Sequence, residues 1–96
     1  MQRAFSIEHS GDCVKMSGEL DDQCAIETSA TVRELAGIDR TEPFELDLRD
    51  VTFIDSIGLR ELLKLRKRIP MLRIVAVNPR IERLFAITGT THLLLD

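Results

Sequence analysis

The sequence predicts a small α/β sandwich, in which helices pack on a mixed, mostly parallel sheet that opens with a β-hairpin. Segments that alternate apolar and polar residues are interspersed with segments whose apolar residues recur every three or four positions, as in strands that alternate with helices. Only a short turn separates the first two alternating segments, which predicts the hairpin. The chain has 96 residues, the size of one domain, so residues 1–96 are expected to form a single domain.

The beginning of the chain predicts two strands and a helix. Residues 5–8 and 14–17 alternate in polarity, and the Ser-Gly-Asp sequence at 10–12 is typical of the turn between them. Asp21 or Asp22 can cap the first amides of the helix that follows. The apolar face of this helix is expected to contain Ala25, Val32, Leu35 and Ala36, with Ile26 at its edge.

The middle of the chain predicts a third strand and a leucine-rich helix. Phe44–Leu48 alternate in polarity, and a short loop is expected to lead from this strand to Asp55 and Ser56. From Ile57 to Ile69 the pattern becomes helical, and Pro70 ends the helix.

The end of the chain predicts two further strands with a helix between them. Leu72–Val77 is a compact apolar segment, expected to be buried on both faces. Asn78 and Pro79 are typical of a helix start, and Gly89 of a helix end. Residues 92–95 are expected to form a last strand. The predicted order of elements is therefore β-β-α-β-α-β-α-β.

Composition and charge favour a soluble cytoplasmic protein that binds neither a membrane nor nucleic acid directly. The net charge is −3, whereas ligands of nucleic acids usually carry a basic excess. The amino terminus lacks the apolar core of a signal peptide, and the longest apolar run, Ile74–Val77, is far too short to span a bilayer.

The cysteines and histidines do not form a metal-binding pattern. Cys13 and Cys24 are not arranged as CxxC, and neither histidine has a cysteine or carboxylate at metal-ligand spacing. The two cysteines are therefore interpreted as small, partly buried thiols, and neither a metal nor a cofactor is expected.

Ser56 is the most informative candidate for a functional residue. It lies between an apolar strand and the leucine-rich helix, at or beside the predicted N-cap. In one interpretation its hydroxyl only caps the helix. In the other it is an exposed phosphate acceptor, because a phosphate at a helix start faces free amides and the positive end of the helix dipole.

Two neighbouring features also have a structural and a functional interpretation. Gly58 would allow either close packing of the helix on the sheet or the approach of a partner's backbone. The helix after Ser56 carries several basic residues, which form either a solvated face or an electrostatic docking surface for an acidic partner. These basic residues are Arg60, Lys64, Arg66, Lys67 and Arg68.

The chain contains, in this order, the segments Gly18-Glu19-Leu20-Asp21, Leu46-Asp47-Leu48, Phe53–Leu59 and Asn78–Gly89. Together they resemble the STAS-domain anti-sigma factor antagonists of bacterial partner-switching systems, over nearly the whole chain. The resemblance implies that the unphosphorylated protein binds an ATP-binding serine-kinase anti-sigma factor and so releases that factor's client. It also implies that the kinase then phosphorylates the antagonist, which dissociates until a PP2C-type phosphatase restores it.

The resemblance also assigns roles to residues of this chain. The serine of the family's Asp-Ser-x-Gly-Leu motif matches Ser56, the expected phosphorylation site. Asp21 matches the aspartate of the family's Gly-Glu-Leu-Asp turn, so the resemblance implies that it is a partner contact. The expected partner-binding surface comprises Asp21, Asp55, Ser56, Ile57, Gly58, Leu59 and Arg60.

Two features depart from the family pattern. The position after the serine is often Ser or Thr in the family, but here it is Ile57, so no second acceptor follows. Family members usually continue past the last strand into a further helix, which is expected to be absent here. The surface that this helix would cover would favour weak self-association if it were exposed.

Two rival functions follow from the same sequence. The protein could be a non-switching STAS scaffold subunit of a larger complex, in which Ser56 only caps the helix. An enzyme is not expected, because the sequence has no GxSxG elbow, no GxxxxGK[ST] loop, no GxGxxG motif and no paired acid–base residues.

Overall fold

A computed structural model describes residues 5–37 and 42–95. The described elements alternate as β-β-α-β-α-β-α-α. They are β1 (Ser6–Ser10), β2 (Cys13–Leu20), α1 (Ala25–Ala36), β3 (Phe44–Ile54), α2 (Ser56–Arg68), β4 (Leu72–Val77), α3 (Pro79–Thr88) and α4 (Thr91–Leu94). None of these described helices combines the length and the apolar character that crossing a membrane requires.

The sheet is mixed and mostly parallel, as predicted. Its strand order is β1-β2-β3-β4, with β1 and β2 antiparallel and the two other pairs parallel. A two-residue loop closes the hairpin between Ser10 and Cys13, which pair with each other. Gly11 in this loop has a φ of 58°, a backbone conformation that short hairpin loops require and that glycine adopts without strain. The predicted fold class is therefore confirmed.

One face of the sheet is buried and the other faces solvent. Val14, Met16, Phe44, Leu46 and Leu48 are fully buried, whereas the residues that alternate with them along β2 and β3 are more exposed. Helix α1 packs against α2, and both join consecutive parallel strands. Alternation of this kind is typical of a sheet that is covered on one side.

Strand β4 is only half buried, so the prediction that it is buried on both faces is wrong. Leu72 is buried, but Arg73 and Val75 are exposed on the open face of the sheet. The same open face carries an ion pair between Lys15 Nζ and Asp50 Oδ2, which lie 3.0 Å apart. An apolar run of this length does not by itself distinguish a strand buried on one face from one buried on both.

Strand β3 extends to Ile54, so the short loop predicted between Leu48 and Asp55 is part of the strand. Two irregularities in its pairing with β2 explain the difference. Between the pairs Lys15–Asp47 and Ser17–Asp50, β3 contains one more residue than β2, and a second extra residue follows Val51. Such bulges shift the buried positions from every second residue to every third, which hides the strand from a periodicity analysis.

Asn78 completes the hydrogen bonding of β3 beyond the end of β4. Strand β4 pairs with β3 only as far as the Leu48–Val77 pair. Beyond this point, Asn78 Nδ2 donates to the carbonyl oxygens of Arg49 (3.1 Å) and Val51 (2.5 Å). The other side-chain atom, Oδ1, accepts from Ile81 N at 3.1 Å and caps α3, as predicted.

The last described element is a short helix, so the strand predicted at residues 92–95 is wrong. Gly89 ends α3 with a φ of 72°, and the Thr90 carbonyl then accepts from the amides of Leu93 and Leu94, both at 3.0 Å. Leu94 is 1% exposed, and α4 contacts α2 and α3. Three consecutive leucines show neither a strand nor a helix period, so the burial of Leu94 against these helices decides the local structure.

Candidate functional site

The parallel pairing of β2 and β3 brings the candidate residues together at one edge of the sheet. Leu20 pairs with Ile54, and Asp55 N donates to the Leu20 carbonyl at 3.3 Å. The residues that follow each strand are therefore neighbours, although more than thirty positions separate them in the sequence. Ligands of open α/β sheets commonly bind at the carboxyl ends of the strands.

Asp55 caps α2 and also connects the ends of the two strands. Its Oδ1 accepts from Gly58 N, and its Oδ2 accepts from Asp22 N, both at 2.8 Å. Its backbone is extended, with a φ of −91° and a ψ of −176°, as is usual for an N-cap residue. Ser56, which was expected at or beside the N-cap, is the first residue of the helix.

The Ser56 side chain is exposed and takes no part in capping. Within the described ranges, no hydrogen bond to its hydroxyl is found. Because Asp55 already satisfies the Gly58 amide, the capping interpretation of Ser56 has no support in the structure. The hydroxyl lies instead at the positive end of the helix dipole, beside the carboxylate of Asp55.

Gly58 is buried in the first turn of α2. A Cβ atom at this position would overlap the carbonyl oxygen of Leu20 and lie 3.1 Å from Ile54 Cγ2. The glycine therefore lets the helix pack directly on the end of β2, which is the structural interpretation of this residue. It supports the site from beneath and does not lie on its surface.

Asp21 is buried at the same edge, with 4% of its surface exposed. Its Oδ1 accepts from Gln23 N at 3.1 Å, and its carbonyl accepts from the amides of Cys24 and Ala25. Helix α1 has Cys24 as its N-cap without a side-chain hydrogen bond, so the predicted capping by Asp21 or Asp22 is wrong. The Asp21 side chain instead shapes the turn that presents Asp22.

Both described cysteines are free thiols, and the pKa of each is raised. Burial is the largest cause that raises the pKa of the Cys24 thiol, and the nearby Asp21 carboxylate adds to it. Burial also raises the pKa of Cys13, with further contributions from Glu45 and Asp47. A raised pKa keeps the thiol protonated, whereas the thiolate is the reactive form. Among residues 5–37 and 42–95, no cluster of histidine, cysteine and carboxylate side chains that could hold a metal is found.

The remaining candidates lie on the first turns of α2. Ile57 and Leu59 are half-buried and pack against the core, and Arg60 is exposed. Further along the helix, Lys64 Nζ lies 3.3 Å from Glu61 Oε2. The exposed part of the candidate surface thus combines Ser56 and Arg60 with the edges of two apolar side chains.

Two surface residues were missed by sequence reasoning. Asp22 is exposed, and its amide is bonded to Asp55, so it belongs to the site more directly than the buried Asp21. Phe53 is 48% exposed immediately before the site, because the bulges in β3 turn it away from the core. No periodic signal could have identified Phe53, since its exposure depends on the pairing between strands.

Residues 4–95 match the family model of the STAS domain. The chain belongs to the STAS domain family. This STAS domain also has the fold of a crystal structure described as an anti-sigma factor antagonist from Mycobacterium paratuberculosis, with a TM-score of 0.74. The match covers 97% of this chain and 83% of that chain, at 22% sequence identity, so the likeness concerns the fold. The resemblance to the STAS domain family that the sequence motifs indicated is therefore confirmed.

Proposed function

We propose that this STAS domain is an anti-sigma factor antagonist whose binding is switched off by phosphorylation of Ser56. One observation carries the proposal. The Ser56 hydroxyl is exposed at the start of α2, while Asp55 does the capping that the fold needs. The hydroxyl is therefore available as a phosphate acceptor at no cost to the helix.

The proposed partner is an ATP-binding serine-kinase anti-sigma factor, which releases its client when the antagonist binds. The description of the structural relative supports an anti-sigma factor as the partner. That this anti-sigma factor is a serine kinase rests on the resemblance of the sequence motifs. The kinase would transfer the terminal phosphoryl group of ATP to Ser56 Oγ, with ADP as the leaving group and the hydroxyl proton passing to a base of the kinase. A PP2C-type phosphatase would hydrolyse the phosphoester. The protein would act in the cytoplasm as a binding module and a substrate, not as an enzyme.

The charges around Ser56 explain why phosphorylation would release the partner. A phosphate adds about 1.5 to 2 negative charges beside the Asp55 carboxylate and near the exposed Asp22. The helix dipole and the free amides of the first turn can stabilise it in the isolated protein. A docked partner would have to desolvate the phosphate and face three acidic groups, so the complex is weakened more than the fold.

Within this proposal, the expected contact residues divide into two groups. Ser56, Ile57, Leu59 and Arg60 touch the partner together with the edge of Asp55. Asp21 and Gly58 act indirectly, because both are buried and position the neighbouring backbone. Replacing either residue would alter binding by moving α2 or the turn after β2.

A non-switching scaffold is the second candidate function. One observation favours it: two residues of the motif have structural roles that require no partner. Asp55 caps α2, and Gly58 allows the close contact of α2 with β2. In a scaffold subunit of a larger complex, Ser56 would be an ordinary surface residue. Its replacement by glutamate would then change no interaction.

The two candidates are distinguished by a pull-down from the lysate of the native host. The baits are the wild-type chain, Ser56→Ala, Ser56→Glu and Ser10→Glu, where Ser10 is an exposed serine at the hairpin, near the opposite end of β2. The switch predicts that all except Ser56→Glu capture an ATP-binding serine kinase. With ATP, this kinase should phosphorylate the wild type but not Ser56→Ala. Equal capture by all four baits would refute the switch and favour the scaffold.

A further inference from the structure

A solvent-open groove lies between the end of β3 and helix α3, next to the candidate site. Its volume is about 230 Å³. Thr52–Ile54 form one wall, and these residues directly precede Asp55 and Ser56. The opposite wall is α3, whose Arg80, Arg83, Leu84 and Ile87 line the groove.

The apolar side chains of the groove are unusually exposed. Phe53 is 48% exposed and Ile87 is 74% exposed, and both line this groove. Single exposed apolar residues are normal on a protein surface, whereas several around one concave surface mark an interaction site. Leu84 is half-buried and also lines the groove.

Two arginines add positive charge to the apolar lining. Arg80 and Arg83 lie three residues apart on α3, so their side chains are neighbours on one helix face. Both are exposed, and neither forms an ion pair within the part of the chain that the structure describes. The other end of the same surface is acidic, because Asp22 and Asp55 lie there. The surface is thus cationic and apolar along α3, and acidic near Ser56.

We infer that this groove is the docking site for an acidic, apolar segment of the partner protein. Carboxylates on that segment would pair with Arg80 and Arg83, since arginine binds carboxylates through two parallel hydrogen bonds. Apolar side chains of the segment would cover Phe53 and Ile87. The identity of this partner rests on the proposed function, because we take it to be the protein that docks at Ser56. The groove extends the Ser56 surface towards α3, so one partner can contact both.

The test uses two synthetic amphipathic helical peptides with identical leucine positions, one carrying glutamates and the other lysines. Each is titrated into the ¹⁵N-labelled protein and followed by NMR. The glutamate peptide should shift the amide resonances of the groove residues and bind about tenfold more tightly than the lysine peptide, a difference of about 1.4 kcal/mol. The net charge of −3 alone would favour the lysine peptide, so this preference reports the local charge of the groove.

Charge-reversed variants make the test specific. The double variant Arg80→Glu/Arg83→Glu should reverse the preference between the peptides. The control Arg33→Glu/Arg73→Glu changes the net charge equally at two exposed positions on α1 and β4 outside the groove, and should leave the preference unchanged. Equal binding of both peptides would overturn the inference, as would an equal effect of the control variant or resonance shifts mapped to α4 or β4. Shifts of the groove resonances with protein concentration alone would also overturn it, because a second copy of this chain would then be the occupant.

The outcome is independent of the phosphorylation switch. The peptides require neither Ser56 nor a kinase, so the groove can bind the glutamate peptide even if the pull-down refutes the switch. Conversely, the kinase can be captured in a Ser56-dependent manner although the peptides do not bind. If both tests succeed, Arg80→Glu/Arg83→Glu should reduce kinase capture, whereas Ser56→Ala should not.

Discussion

Replacing Asp55 by alanine should destabilise the protein by about 2 kcal/mol. The substitution removes the cap on Gly58 N, which contributes about 1 kcal/mol. It also removes the hydrogen bond from Asp22 N, worth about 1 kcal/mol because water can partly replace the acceptor at this exposed amide. For a domain of this size, 2 kcal/mol corresponds to a decrease in Tm of about 8–16 °C.

Two further variants separate the contributions at Asp55. Asp55→Ser retains a capping oxygen but cannot accept from both amides, so it should lose only about 1 kcal/mol. Asp22→Ala removes a side chain but leaves the bonded amide in place, so it should cost less than about 0.5 kcal/mol. The measurement is the free energy of unfolding in urea. The interpretation would be wrong if Asp55→Ser were as unstable as Asp55→Ala, or if Asp22→Ala were equally harmful.

Three more perturbations test the packing around the site. Gly58→Ala should lower the free energy of unfolding in urea by about 1–3 kcal/mol, because the new methyl group overlaps a carbonyl of β2. The control Ser56→Ala on the same turn should be nearly neutral. Equal stability of the two variants would contradict the close contact. Leu62→Ala should cost about 2–5 kcal/mol, because Leu62 is buried in the core, and a loss well under 1 kcal/mol would show that it is not. In a Cys13→Ser background, the thiol reagent DTNB should react more slowly with Cys24 in the folded than in the unfolded protein. The reason is that the raised pKa of Cys24 in the folded protein leaves less thiolate to react. Equal rates would contradict this. The same shift predicts that stability falls as the pH rises above the ordinary cysteine pKa, since the unfolded thiol ionises first.

Much of the candidate site was predictable because its parts are local. The change from a strand to a helical pattern around residue 56 placed Ser56 at a helix start, and the structure has it at the first position of α2. The choice between Asp55 and Ser56 as the cap was not predictable. Both residue types are good N-caps, and Asp55 is held in place by an amide of Asp22, 33 residues away.

The groove beside α3 was hidden from sequence reasoning for a related reason. Its two walls come from β3 and α3, and Phe53 points into it only because β3 contains two irregular pairings. The sequence alone assigns no role to Arg80 and Arg83 beyond their place in the Asn78–Gly89 segment. Their significance depends on the exposed apolar side chains that the fold places beside them.

The sequence by itself determined the features that depend on neighbouring residues. These are the alternation of strands and helices, the opening hairpin, the helix starts near residues 56 and 78, and the family to which the motifs belong. Tertiary structure alone decided the full length of β3, the helical form of α4 and the burial of only one face of β4. The physical reason is that strand pairing and helix packing join residues far apart in the chain. Local periodicity carries no information about these partners, and in short or irregular segments the partners determine the conformation.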